Sequence, residues 1–293
     1  KVSAFLNLMN GLFQLSPTHF SGDGSQTLPR LERIFVYAVS WSLCGLLEID
    51  DRKKVDEYLR NIDGEALPIC EGGETVYEYT VDPDTMEWVA WEPPVWDYPD
   101  LDDGQQLNFS TLLVPTTDTT RSIFNIRNLH KQGLSTLLVG GLGTAKTSIG
   151  LMFMAEQDPN ETIGKLINFS SATTPGMFQK TVEASLDKRG GKNFGPPNGK
   201  KMLFFMDDMS MPLMNNWGDQ PTLEIVRQII ETKAVAFLDK DKRGDMKVCE
   251  DLQWLAAMAH PMGGKNDIPN RLKRHFMAFN LVLPSLTSIN DIY

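Results

Sequence analysis

The sequence predicts a doubly wound α/β domain on a parallel sheet, preceded by a small helical unit and an acidic stretch with short strands. Three observations carry this. From residue 108 onward short apolar runs alternate with helix-period segments, a pattern that builds βαβ units. One of those runs, STLLVG (135–140), leads directly into the glycine-rich GGLGTAKT (140–147) and then a helical segment. Ahead of this, residues 1–62 carry helical periodicity and no strand-like run.

In chain order, LERIFVYAVSWSLCGLLEI (31–49) is apolar nearly all round, as a buried helix would be. DRKKVDEYLRNI (51–62) is amphipathic, with Val55, Leu59 and Ile62 at helical spacing and Asp50 as a candidate cap. TVYEYTV and MEWVAW, divided by VDPDT, predict a hairpin. In the α/β part the expected strands are 135–140, 165–170, 200–208, 251–259 and 277–284, with helices after the glycine loop, over 176–188 and over 221–231. KKMLFFMDD (200–208) is apolar enough for a parallel strand covered on both faces. The implied domains are a helical unit at 1–62, an acidic linker at 63–107 and an α/β unit at 108–293.

Composition is that of a globular protein, with 41% apolar and 23% charged residues in 293. No run of about 18 apolar residues is present to predict a membrane span. The start, KVSAFLNLMNGLFQLSP, has one basic residue, no initiator Met and an apolar stretch broken by Asn7, Asn10 and Gly11. It reads as the cut edge of a longer chain, not as a signal peptide. Cys44, Cys70 and Cys249 are few and far apart, and the four histidines are equally scattered, which argues against a disulfide framework or a zinc site and for a reducing, cytosolic compartment. The net charge is −10, and residues 61–103 hold thirteen Asp and Glu with no Lys or Arg. Subtracting that −13 leaves +3 elsewhere, with no continuous basic stripe for nucleic acid. Lys188 with Arg189, and residues 271–275, are short basic clusters. The acidic run reads as a solvated face or a docking surface.

GGLGTAKT fits the phosphate-binding pattern G-x-x-x-x-G-K-[ST] with one change, Ala145 in place of the second Gly. Backbone N–H groups of Gly141, Leu142, Gly143, Thr144, Ala145 and Lys146, together with the following helix N-terminus, would face phosphate oxygens. Gly140 starts the loop, the Lys146 ammonium would reach the β- and γ-phosphates, and the Thr147 hydroxyl would bind Mg²⁺. If Ala145 needs φ > 0, its Cβ costs about 1–2 kcal/mol; if its dihedrals are helical, it costs nothing. Asp207, ending the apolar strand, would orient the Mg²⁺ shell. Asp208 stands where a second acid would activate water, with its carboxylate retracted by about 1.5 Å relative to Glu. Arg271 and Arg274 have two open readings: arginines serving phosphate charge on a neighbouring subunit or module, or a basic helix end complementing its own dipole. No N-K-x-D guanine-reading sequence is present.

Together LLVPTTDTTR (112–121), GGLGTAKT, NFSSATTPGMFQKTVE, GPPNGKK, FFMDDMSMP, NNWGDQPTLEIVRQIIE and LAAMAHPMGGKNDIPNRLKRHF resemble a dynein heavy chain, and most of all the third AAA+ module of axonemal dyneins. The resemblance implies a P-loop NTPase (AAA+) fold, with the preceding helices as the lid of the second module. It implies a regulatory ATP or ADP site with Mg²⁺ in a ring of six modules. The parent chain would be an ATP-hydrolysing motor with coiled coil elsewhere, bound to microtubules and to dynein intermediate and light chains in the cytoplasm and the ciliary or flagellar axoneme. Residues 140–147 would hold phosphates and Asp207 Mg²⁺, and Asp208 would stand in for the catalytic Glu. Arg271 would be the arginine finger for the preceding module, with Arg274 a second candidate. Residues 170–175 and 233–251 would be two hairpin-like insertions, and Ala259 would fall where a water-positioning Asn or Thr is usual, beside His260. Ala145, Asp208 and Ala259 together imply retained binding with weak or absent hydrolysis. The alternatives are a purely structural, nucleotide-locked ring module and a stand-alone P-loop kinase or transferase.

Overall fold

The computed structural model describes residues 2–15, 17–20, 27–70, 72–97, 112–238, 240–242, 244–261 and 265–292. The acidic residues 98–103 and the 107/108 boundary lie outside them. Among the described residues no helix is long and apolar enough to cross a membrane, and no group of ligating side chains forms a metal cluster. The chain divides into two compact units, one of residues 2–128 with 282–293, the other of residues 129–281.

In the first unit α1 (Val2–Leu15) packs on α2 (Thr27–Ser42), followed by α3 (Ile49–Ile62). The second helix ends at Ser42, seven residues earlier than its apolar run suggests, because the chain turns at 43–46. It is also not buried all round: Ile34, Tyr37, Ala38 and Trp41 face the core while Leu28 and Phe35 are exposed. Asp50 does not cap α3. The cap position is Glu48, without a side-chain bond, and Asp50 lies in the first turn, where a carboxylate still complements the helix dipole. The hairpin forms as β1 (Tyr79–Val81) with β2 (Trp88–Ala90), antiparallel. The start of TVYEYTV is instead a single 3₁₀ turn, closed by a capping box between Thr75 and Glu78. Two buried arginines stack in this unit. Arg52 lies 4.9 Å from the Tyr77 ring, and Arg121 lies 5.5 Å from Trp41. Burial and then the charge of Arg121 pull the Arg52 pKa down to about 10.

α4 (Thr117–Lys131) leads into the second unit. There β3 (Ser135–Gly140), α5 (Lys146–Ala155), β4 (Thr162–Asn168), α6 (Pro175–Glu183), β5 (Asp187–Gly190), β6 (Asn193–Gly195), β7 (Lys201–Asp207), α7 (Pro221–Thr232), β8 (Ala234–Ala236), β9 (Met246–Cys249), β10 (Leu252–Met258), α8 (Asn270–Lys273) and β11 (Phe276–Leu281) follow. The last helix, α9 (Leu286–Ile292), belongs to the first unit. The main sheet is fully parallel in the order β11-β3-β10-β7-β4. Strand order reverses at β3, so the crevice at its carboxyl end is where a doubly wound sheet binds ligands. β7 is buried from Met202 to Asp207, and Phe204 stacks on Trp254 at 4.9 Å.

The two expected insertions, 170–175 and 233–251, differ in outcome. Residues 170–175 form no hairpin. They make a turn in which Ser170 N donates to Thr173 Oγ1, and Thr174 then caps α6. The helix expected to run to 188 stops at Glu183, and the hairpin at this level, β5–β6, starts at Asp187. The second insertion, 233–251, does contain a hairpin, β8–β9, and β9 also runs parallel to β6. The basic pair at 188–189 finds its explanation here, since Arg189 pairs with Asp251 and lies 3.7 Å from Glu250.

Candidate nucleotide site

At the end of β3 the chain has little choice of residue. A Cβ on Gly140 would stand 2.6 Å from Thr144 Oγ1 and 2.8 Å from the Leu281 carbonyl oxygen, closer than real contacts allow. Gly143 (φ +76°) and Ala145 (φ 58°, ψ 21°) are both left-handed. Ala145 therefore has φ > 0, and its methyl carries a strain of about 1–2 kcal/mol. The gain is orientation. Alternating signs of φ turn successive N–H groups to one side, and among the described residues those of Leu142, Gly143 and Thr144 donate to no protein acceptor. They supply donors that an anion would satisfy.

Lys146 opens α5 and folds back over the loop, its Nζ donating to the carbonyl oxygens of Gly140 at 3.0 Å and Gly141 at 2.5 Å. Burial, then repulsion from Lys265, lowers its pKa. The next residue reaches the neighbouring motif: Thr147 Oγ1 donates to Asp207 Oδ2 at 2.6 Å. Asp207 is 8% exposed at the end of β7. It is fixed by the Phe169 N–H on its carbonyl oxygen (2.9 Å) and the Asp208 N–H on Oδ1 (2.9 Å). A hydroxyl and a carboxylate held together are hard oxygen donors of the kind Mg²⁺ takes, so residues and cofactor fit. When bound, the ion would neutralise phosphate charge.

Asp208 is exposed and also left-handed, at φ 53°. It begins a turn in which Met211 N–H donates to its carbonyl oxygen at 2.9 Å. Ala259 follows β10 at 5% exposure, with half-buried His260 next to it. β10 lies between β3 and β7, so the three strand ends present residues 140–147, 207–208 and 259–260 along one edge. Lys265 is a charge near the site that motif reading passed over, because it belongs to no part of the loop pattern and declares itself only through its effect on Lys146.

The two arginines are not gathered with these groups. Arg271 sits in α8 and Arg274 just past it; their ion pairs are with α7, to Glu224 at 3.0 Å and to Glu231 at 2.5 Å. Both side chains are more than half exposed.

A family model described as "P-loop containing dynein motor region" matches residues 102–284, and one described as "Dynein heavy chain AAA lid domain" matches residues 1–93. The chain belongs to the dynein heavy-chain family. This dynein segment is 44% identical over 266 residues, 90% of its length, to the dynein gamma chain of the flagellar outer arm of Chlamydomonas reinhardtii. It is equally identical, over the same share, to dynein axonemal heavy chain 5 of Rattus norvegicus. To dynein axonemal heavy chain 8 of Homo sapiens it is 43% identical over 291 residues, 98% of its length. It spans 6%, 8% and 6% of those three relatives. The parallel sheet and the loop between β3 and α5 are those of a P-loop AAA+ domain.

Proposed function

We propose that this segment comes from an axonemal dynein heavy chain, an ATP-driven microtubule motor of cilia or flagella. In this reading residues 1–62 are the lid of the second AAA+ module, 63–107 an acidic linker and 108–293 the large subdomain of the third module. The third module holds ATP or ADP with Mg²⁺ as a regulatory site with weak or absent hydrolysis. The names of the relatives support the axonemal placement. Its partners are the other modules of the same chain, with microtubules and intermediate and light chains reached through the parent protein.

The observation that carries the nucleotide reading is the bond between Thr147 and Asp207, which joins the loop and strand motifs at the carboxyl edge of the sheet. Residues 140–147 supply phosphate donors, Thr147 and Asp207 hold the cation, and Asp208 takes the weakened water-activating role. Arg271 serves the preceding module's nucleotide, with Arg274 as the alternate. A second reading, a nucleotide-locked structural module that never turns over, draws on the apolar, buried Ala259 where a water-positioning group would stand. Single-turnover ATP cleavage separates the two, in a heavy chain whose other nucleotide sites are silenced through their loop lysines. Cleavage above the level of Lys146→Ala supports the regulatory ATPase, and cleavage no faster than that variant leaves the locked module.

A further inference from the structure

Arg271 belongs to a ladder of alternating charges between α7 and the α8 segment. Glu224 takes Arg271 at 3.0 Å on Oε1 and Arg227 at 2.9 Å on Oε2. Arg227 also reaches Glu231, which takes Arg274 at 2.5 Å and has His275 at 3.7 Å. Glu224, Arg227 and Glu231 are three and four residues apart on one helix face. The ladder has two carboxylates for three guanidiniums, so each acid is shared. If Arg271 leaves, Glu224 still has Arg227. Arg227 is 24% exposed, whereas Arg271 and Arg274 are 58% and 57% exposed. Arg271 and Glu224 both line an open cleft of about 250 Å³ with Gln220, Asp267 and Pro269. Of the two exposed arginines it is Arg271, with its carboxylate partner, that lines this cleft, where an external anion can reach it.

We propose that Glu224 is a positioning residue for Arg271, holding it against α7 and releasing it to the terminal phosphate of a nucleotide presented by the adjoining module. This rests on the reading of Arg271 as the finger for that module. Because an exposed ion pair is weak, the hold is a modest competitor of the phosphate. Arg227 keeps the vacated acid neutralised, so the exchange leaves no bare charge on α7.

The test is a double-mutant cycle in the full-length heavy chain, with the other loop lysines replaced, Lys146 included, so that only the preceding module binds nucleotide. A fluorescent non-hydrolysable ATP analogue and fluorescent ADP are the probes. Glu224→Gln is expected to tighten the ATP analogue roughly two- to fivefold, the factor an exposed pair is worth, and to leave ADP unchanged. Arg271→Ala is expected to weaken the analogue tenfold or more, and the double variant to match Arg271→Ala alone. Glu224→Asp, which keeps the charge but retracts the carboxylate by about 1.5 Å, should tighten the analogue in the same direction by a smaller factor, and serves if Glu224→Gln folds poorly by its melting curve. Unchanged or weaker binding in Glu224→Gln, with Arg271→Ala still weak, overturns the holding role and leaves the finger reading standing. Tightening that persists without Arg271 also overturns it. No effect of Arg271→Ala removes the finger reading, and this proposal with it.

Discussion

Ala145→Gly is expected to stabilise the nucleotide-free protein, although it removes a methyl group and adds backbone freedom. Ala145 sits at φ 58°, ψ 21°, immediately before α5. A Cβ in that region costs about 1–2 kcal/mol, and glycine would remove that cost. Against this stands the larger conformational freedom of glycine in the unfolded chain, about 0.4–1 kcal/mol. The difference leaves a net gain of roughly 0.5–1 kcal/mol, which is about 1–4 °C in melting temperature for a unit of this size. Ala145→Val supplies the opposite arm, since a β-branched side chain at positive φ is a worse outlier and should lower the melting temperature. Thermal unfolding followed by circular dichroism, with hydrogen exchange of the β3 and β7 amides to locate the effect, measures both. A destabilised glycine variant, or a valine variant as stable as wild type, would refute the argument that strain at residue 145 is stored in the loop.

Other expectations follow from the same unit. Gly150→Ala should cost about 2–3 kcal/mol or more through overpacking, because its Cβ would stand 2.2 Å from the ring of Phe205; denaturant melts measure this. His130 packs edge-on against Phe153 at 5.1 Å, and burial, followed by the charge of Lys201, pushes its pKa down to about 4. Its folded value lies below its ordinary 6.5, so the neutral form is favoured on folding. Its contribution is therefore fully present above pH 6.5 and lost as pH falls toward 4, by at most about 3 kcal/mol; His130→Gln should flatten the stability profile in that window. Asp208→Glu should raise single-turnover cleavage tenfold or more if carboxylate reach limits the reaction, and an unchanged rate would move the limitation to Ala259.

Much of this was legible in the residues. The five strands of the main sheet occur within a few residues of their apolar runs, because buried parallel strands leave near-continuous signatures such as MLFFM. The loop was legible through its glycines, and the Gly140 contacts give the reason. What escaped has physical causes. The β5–β6 hairpin is short and, in β5, exposed throughout, so burial leaves no period to read. The end of α2 is set by a turn inside a still apolar run, which hydropathy cannot mark. The left-handed dihedral of Asp208 follows from the turn after β7, and Asp tolerates it without leaving a glycine as a sign. Glu224 and Glu231 carry meaning only once α7 lies beside α8.

If residues 140–147, with Asp207, hold a nucleotide, it is visible directly. A density map of the intact heavy chain in saturating Mg²⁺ and nucleotide tests it most directly. The expected map shows ATP or ADP over the loop, Lys146 turned from the Gly140 and Gly141 carbonyls to phosphate oxygens, and a cation between Thr147 and Asp207. A loop without nucleotide under those conditions, with Lys146 still on its own carbonyls and Thr147 still bonded directly to Asp207, would contradict it.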